Sequence, residues 1–231
     1  MNGAPVVKGG RSMKRFLVVF TAFLVAAAVW ASVSEWKKDS RYTIDEPYEF
    51  PVLTSEDYSK FNRNEERHSA LSVPDEIVEQ MTTRALLETY LDYPELISYG
   101  LHTFYSDGFN MMRHVHSFGL DELMEREDLY ETVYKRYKET EVYKGSVDKY
   151  PAGEDRKEKY KKQYEDAYDM AHLELLISQM DLEDGSWKKW RIERLIEKKT
   201  EERLENPDFY RGRPFVGMYE WVLFQDSHKI K

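Results

Sequence analysis

The sequence predicts a mainly α-helical protein, an irregular multi-helix bundle preceded by an N-terminal signal segment and an extended arm. Three observations carry that expectation. Apolar residues recur at spacings of three to five through most of the chain after Ser72, and few stretches show the period of two that a half-buried strand needs. Caps and breakers punctuate those runs at helical lengths. The chain has no cysteine, so no disulfide framework holds it and packing alone must. About 200 residues follow the first 31, enough for one sizeable core or two small ones. No fixed-period repeat is present.

Residues 1–31 read as an address. Lys14 and Arg15 precede an apolar run from Phe16 to Val29, broken only by Thr21, and Val29-Trp30-Ala31 offers a signal-peptidase site. The run falls short of the roughly 20 residues that cross a bilayer. A cleaved export signal is the first expectation and an uncleaved membrane anchor the alternative. Met13 is a second candidate start. No Cys follows the run to take a lipid, and Asn62, Asn64, Asn110 and Asn206 all fail the Asn-X-Ser/Thr pattern, which suits a bacterial exported protein. Secretion, or anchorage with the body outside the cytoplasm, is the expected location. Residues 32–71 are polar, broken by Pro47 and Pro51 and without helical period. They are expected to form an extended arm or linker.

A helical subdomain is expected over 72–143. Ser72-Val73-Pro74-Asp75-Glu76 reads as a helix start, with a Ser cap, Pro in the first turn and acids at the positive end of the dipole. Thr82 or Thr83 caps a second helix through Leu86, Leu87, Tyr90 and Leu91, which ends before Pro94. Leu96 to His102 gives a third segment. Asp107-Gly108 is read as a break before Phe109, Met112, Val115 and Phe118. Asp121 to Glu139 is expected as one helix, with Leu123, Leu129, Val133, Tyr134 and Tyr137 inward. Gly145, Pro151 and Gly153 mark a linker over 144–153. A long helical pair and an aromatic tail then fill 154–231. Tyr160, Tyr164, Tyr168, Ala171, Leu175 and Met180 trace one face of the first helix, Glu154 to Met180. Trp190, Ile192, Leu195 and Ile196 are the apolar residues of the second, Trp187 to Leu204. Phe215 to Phe224 reads as a short strand or a docked irregular segment.

Within 74–140, Pro74-Asp75-Glu76-Ile77, the run Met81-Thr82-Thr83-Arg84-Ala85-Leu86-Leu87-Glu88-Thr89, Asp92-Tyr93-Pro94, Asp107-Gly108-Phe109 and Glu122 to Asp128 stand out. They resemble an uncharacterised family of exported helical proteins of gram-positive anaerobes, with the pattern M-T-T-x-x-L-x-E-x-x-L-x-Y-P followed by D-G-F. The resemblance covers about a third of the chain. It implies export and a helical fold, and no activity, cofactor or site residue.

Charge narrows the partners. The chain carries −9; Lys8, Arg11, Lys14 and Arg15, with no acid, precede the expected cut, so the remainder carries −13. Such a body repels phosphate backbones and anionic lipid, so nucleic acid is not expected as a partner, nor a membrane unless the N-terminal segment stays as an anchor. With 17 Tyr and five Trp, the rings either fill a cysteine-free core or form a surface for sugars or peptides.

Candidate chemistry is sparse. His114 and His116 are two apart and point to different faces of a helix, so they do not chelate one ion alone; His102 is a weak third candidate ligand. Glu88, Asp92 and Glu95 could pair as acid and base or nucleophile in glycoside hydrolysis, although a chain with 43 acids makes such clusters by chance. Thr82 and Thr83 are better explained as caps. Arg203, Arg211 and Arg213 could bind a carboxylate or sit solvated on a loop. Glu193 to Arg203 reads as a soluble, charge-rich face. No phosphate-cradling Gly loop and no G-x-S-x-G turn occurs, and no cofactor is expected. Trp187 and Trp190 lie three apart on one helical face. Their plain reading is a core seam, and their functional reading an exposed platform for a glycan or peptide. The two functions expected are a non-enzymatic interaction module, binding a peptide, protein or glycan through Trp187, Trp190, Tyr219 and Trp221, and a secreted hydrolase, metal-dependent or carboxylate-based.

Overall fold

A computed structural model describes residues 42–61, 63–96, 100, 102–115, 118–145, 160–210 and 217–229, with only the backbone of Asn64, Glu65 and Val115. The chain divides into two units, Met1–Tyr42 and Thr43–Lys231. The expected signal segment and most of the 144–153 linker lie outside the described residues. The described part of the second unit holds eleven helices: α1 Ser55–Lys60, α2 Asn64–Ala70, α3 Asp75–Val78, α4 Thr83–Leu91, α5 Tyr105–Val115, α6 Leu120–Glu125, α7 Leu129–Glu139, α8 Lys161–Ser178, α9 Trp187–Leu204, α10 Pro207–Tyr210 and α11 Met218–Ser227. The only β pairing among the described residues is an isolated parallel bridge between Ile44 and Met81. The protein is mainly α-helical, as expected. No helix among the described residues is long and apolar enough to cross a membrane.

The extended arm exists, but only as far as Thr54, and the folded body begins at Thr43 rather than Ser72. The backbone N–H groups of Thr43 and Ile44 both donate to the Gln80 carbonyl, and Thr82 N–H donates to that of Ile44. Tyr48 N–H donates to Thr89 Oγ1 at 2.9 Å, and the Phe50 ring sits edge-on to Tyr48 and Tyr93. The arm thus crosses α4. Ser55–Lys60 and Asn64–Ala70 turn helical where the absence of period gave no sign of it. Thr54 and Asp57 form a reciprocal capping box that starts α1, a local device that needs no buried face.

Several boundaries move for identifiable reasons. Pro74, not Ser72, is the N-cap of α3, and Ser72 Oγ donates to the Ser69 carbonyl instead. Thr82 caps α4 through Ala85 N–H. Helix α5 runs through Asp107-Gly108: Asp107 lies in the first turn, where its charge suits the dipole, and Gly108 is buried within the helix. The helix expected over 121–139 is two. Arg126 adopts extended backbone between them, which turns its buried side chain toward Glu122 and the Val78 carbonyl. Gly119 starts α6 at φ +88°, and a Cβ there would lie 3.0 Å from Leu86 Cδ2. The tail forms a helix, α11, where a strand or an irregular segment was expected.

One hydrophobic cluster runs from Leu71 to Val222, so residues before and after the 144–153 linker share a core. Helix α8 is its axis. Met170 to Ile177 are all buried, so this stretch has no solvent face and no amphipathic period. Tyr93 stacks on Phe118 at 4.0 Å, and the Tyr90 hydroxyl donates to the His172 carbonyl. A smaller cluster gathers Ala167, Phe209 and Tyr210 with Tyr143 and Tyr164. Burying each such apolar side chain contributes about 1.5–3 kcal/mol.

At the centre, Arg203 of α9 binds Glu174 of α8, Nη2 to Oε1 at 2.5 Å, with side chains 1% and 0% exposed. The Tyr137 hydroxyl of α7 donates to Oε1 at 2.6 Å, and Tyr219 N–H of α11 to Oε2 at 3.3 Å. Arg203 does meet a carboxylate, but one of its own chain, and it is not a surface residue. Lys199, one turn earlier, is also buried and donates to the Thr140 carbonyl. The expected charge-rich face of α9 therefore carries a buried cationic edge. Arg211 and Arg213 lie outside the described residues.

Substituting Arg203→Met strands the Glu174 charge and is expected to cost about 3–5 kcal/mol in urea unfolding. Adding Glu174→Gln removes both ions, keeps one acceptor oxygen for the Tyr219 N–H and turns the other position into an amide donor that the Tyr137 hydroxyl oxygen can accept from, and should recover most of that loss. A single variant no worse than an ordinary surface change, about 0.5 kcal/mol, would refute the central role of the pair.

Candidate functional site

Two surface features adjoin one another. The first is a groove of about 630 Å³ between α4, α7 and the start of α8, lined among others by Arg84, Glu88, Glu131, Lys135, Arg136 and Asp166. Helical spacing places Arg84 and Glu88 on one face of α4, and Thr132, Lys135, Arg136 and Glu139 on one face of α7. Arg136 ties the walls together. Its Nε donates to Glu88 Oε1 at 2.8 Å, Nη2 to Asp169 Oδ2 at 2.6 Å and Nη1 to Thr140 Oγ1 at 2.7 Å. Burial, with Glu88 and Asp166 adding repulsion, pushes the Asp169 carboxyl up to about 6 despite Arg136. Burial raises Asp166 as well.

The second feature is the start of α9. Ser186 caps it through Lys189 N–H, and Ile192, Ile196, Lys199 and Arg203 form its buried stripe at spacings of four, three and four. Trp190 lies roughly 200° around the helix from Ile192. Trp187 and Trp190 are accordingly 58% and 65% exposed, so a core seam is not what this pair forms. The Trp187 ring meets Tyr130 edge-on at 6.0 Å. The Arg191 guanidinium stacks 3.7 Å from the Tyr134 centroid and 5.5 Å from that of Trp187, and Lys188 Nζ lies 5.2 Å from that of Tyr130. Arg191 Nη1 also lies 3.5 Å from Glu131 Oε2, and Glu131 lines the groove. The platform and the groove are thus edge to edge.

The other expected site residues separate. Tyr219 is 7% exposed, and its hydroxyl donates to Glu193, so it presents no ring to solvent. Trp221 is 47% exposed and stacks on Phe224 at 5.5 Å. Of the acid trio, Glu88 enters the groove and Asp92 is the exposed C-cap of α4, while Glu95 turns away to Arg67 at 2.7 Å. They do not converge in one cleft. The Thr82 hydroxyl donates to Asp45 and the Thr83 hydroxyl to Asp128, which leaves neither poised as a nucleophile. His114 is exposed, with Nδ1 3.9 Å from Asp121; His102 is half-buried, and His116 lies outside the described residues. No group of three His, Cys, Asp or Glu among the described residues could hold a metal ion. The Arg136–Asp169 contact had no signal in sequence, because its partners are 33 residues apart.

No protein-family model, curated protein or solved structure matches the chain.

The titrations of Asp169 and His172 oppose one another. The folded state keeps a proton on Asp169 that the unfolded chain, near 3.8, has lost, so stability falls as pH rises from about 4 to 6. Burial pushes His172 down to about 4 from 6.5, so the unfolded chain takes a proton first, and stability falls as pH drops through the same window. Relative to the wild type, Asp169→Asn should lose stability on acidification from pH 6.5 to 4.5, and His172→Gln should gain it. Each effect is expected to be on the order of 1–3 kcal/mol. Urea midpoints across that range test this, and profiles parallel to the wild type would refute it.

Proposed function

We propose that the protein is an exported, non-enzymatic interaction module that holds a peptide, protein or glycan against the exposed Trp187–Trp190 side of α9. The observation that carries this reading is the position of the two indoles. They occupy the side of the helix opposite its buried stripe, where folding gains nothing from a large apolar ring. Trp190 has no ring partner among the described residues. The basic n-region, the apolar run and the cut site after Ala31 support secretion, or anchorage with the body outside the cytoplasm. The resemblance of residues 74–140 to exported proteins of gram-positive anaerobes points the same way.

A second reading, a carboxylate-based hydrolase, is favoured by the raised carboxyl of Asp169, which shares Arg136 with the groove residue Glu88. Arg136 holds both carboxylates, which ranks this reading second. Turnover of an array glycan that Asp169→Asn abolishes and Trp190→Ala only weakens would move the site to the groove.

The labelled full chain should be read against a printed array of neutral oligosaccharides, acidic oligosaccharides and peptides. The Trp187→Ala/Trp190→Ala variant is expected to lose at least about tenfold of each specific signal, about 1.4 kcal/mol, while its unfolding midpoint stays within about 0.5 kcal/mol of the wild type. Signals that survive the double substitution intact would end the platform reading.

A further inference from the structure

We infer that the ligand of the α9 platform is an anionic polysaccharide, stacking its rings on Trp190 and Trp187 and setting its carboxylate or sulfate groups against Arg191, Arg194 and Lys198. This rests on the reading of that face as a binding surface and adds the charge and class of the ligand.

The first support is charge placed against the trend of the chain. Trp187 to Lys199 holds Lys188, Lys189, Arg191, Arg194, Lys198 and Lys199 against Glu193 and Glu197, in a protein whose overall charge is −9. Trp187, Trp190, Arg191, Arg194 and Lys198 recur at steps of three, one, three and four, so they share one side of α9. That side is the one opposite Ile192, Ile196, Lys199 and Arg203. Indoles and cations therefore share one side, a stripe with the single acid Glu197 between them, over about 16 Å at 1.5 Å per residue.

The second support is preorganisation. The Arg191 guanidinium lies 3.7 Å from the Tyr134 centroid and 5.5 Å from that of Trp187, and hydrogen bonding to Tyr134 and Tyr130 helps to hold it in place on the platform. The acids that now meet these cations are weak competitors. Glu131 is 3.5 Å from Arg191, Glu202 is 3.9 Å from Lys198, and the Arg194–Glu197 pair is a solvent-exposed i,i+3 contact. Exposed pairs of this kind contribute little, so an incoming anion displaces them at small cost.

The third support is selection among anions. The stripe has flat rings and no aliphatic side chain to enter a lipid phase. Its three cations, spaced along α9, match the spaced carboxylates or sulfates of a sugar polymer whose ring faces stack on the indoles. Beyond about 8 Å at physiological ionic strength the acid charge of the body is screened, so it does not oppose an anion seated on the stripe.

The test is isothermal titration of the full chain with polygalacturonate and with chondroitin sulfate. Dextran is the neutral control, and poly-glutamate and phosphatidylglycerol vesicles are the competing anions. Binding is expected to one or both polysaccharides and not to dextran. Trp190→Ala and Arg191→Ala/Arg194→Ala should each weaken it by about tenfold or more, with unchanged unfolding midpoints. The charge and class assignment is overturned if neither polysaccharide binds, or if poly-glutamate or the vesicles bind more tightly. Trp190-dependent binding of dextran as tight as that of the acidic sugars would also overturn it, while leaving the interaction module standing. Polysaccharide binding indifferent to Trp190 would overturn both.

Discussion

The packing turns on a charge that has nowhere to go but Arg203. Glu174 is fully buried in α8, and burial alone would force it neutral or expel it. Three other helices answer it: α9 with a guanidinium, α7 with a tyrosine hydroxyl and α11 with a backbone N–H. None of those donors reaches Glu174 unless its helix arrives at the right height and rotation. Taking two ions out of water is expensive, and Nε and Nη1 of Arg203 make no hydrogen bond among the described residues. By this account the pair gives orientation more than net stability. In a chain without cysteine, that orientation has to come from side chains.

The same device recurs at lower burial. Arg126 breaks the helix between α6 and α7 so that its side chain can reach Val78. Arg136 spans α4, α7 and α8 and thereby shapes the groove. Lys199 closes onto Thr140 at the end of α7 and lies over the Tyr137 ring. Cations that composition alone would place in solvent act as crossbeams. This is why the buried stripe of α9 contains Lys199 and Arg203, while two of the protein's tryptophans face water. The helix is inverted relative to a simple hydrophobic sort, and its outer side carries the two exposed indoles.

That inversion limited how far the site could be read in advance. Trp187, Trp190, Ile192 and Ile196 all belong to α9, and spacing alone does not say which pair faces in. Tyr219 and Trp221 are two apart on α11, and one is buried while the other is exposed. Glu88, Asp92 and Glu95 look like a cluster because they are close in sequence. The turn at Pro94 sends Glu95 to Arg67, and Arg136 at the groove pairs with Glu88 and with Asp169 from another helix.

By itself the sequence determined the helical class, a threonine cap of α4 at Thr82 or Thr83, the end of α4 ahead of Pro94 and the span of α9 from Trp187 to Leu204. Those features depend on residues within a turn or two of one another, where propensity and capping act. It also determined the absence of disulfides and the surplus of acid. Tertiary structure decided the rest. It made α11 a helix by giving Met218, Tyr219 and Val222 a wall to pack on. It split the run from Leu120 to Glu139 at Arg126, because a buried arginine needed distant acceptors. It put Trp190 outside and Arg203 inside, because the partner that settles the rotation of α9 is Glu174, 29 residues away and on another helix.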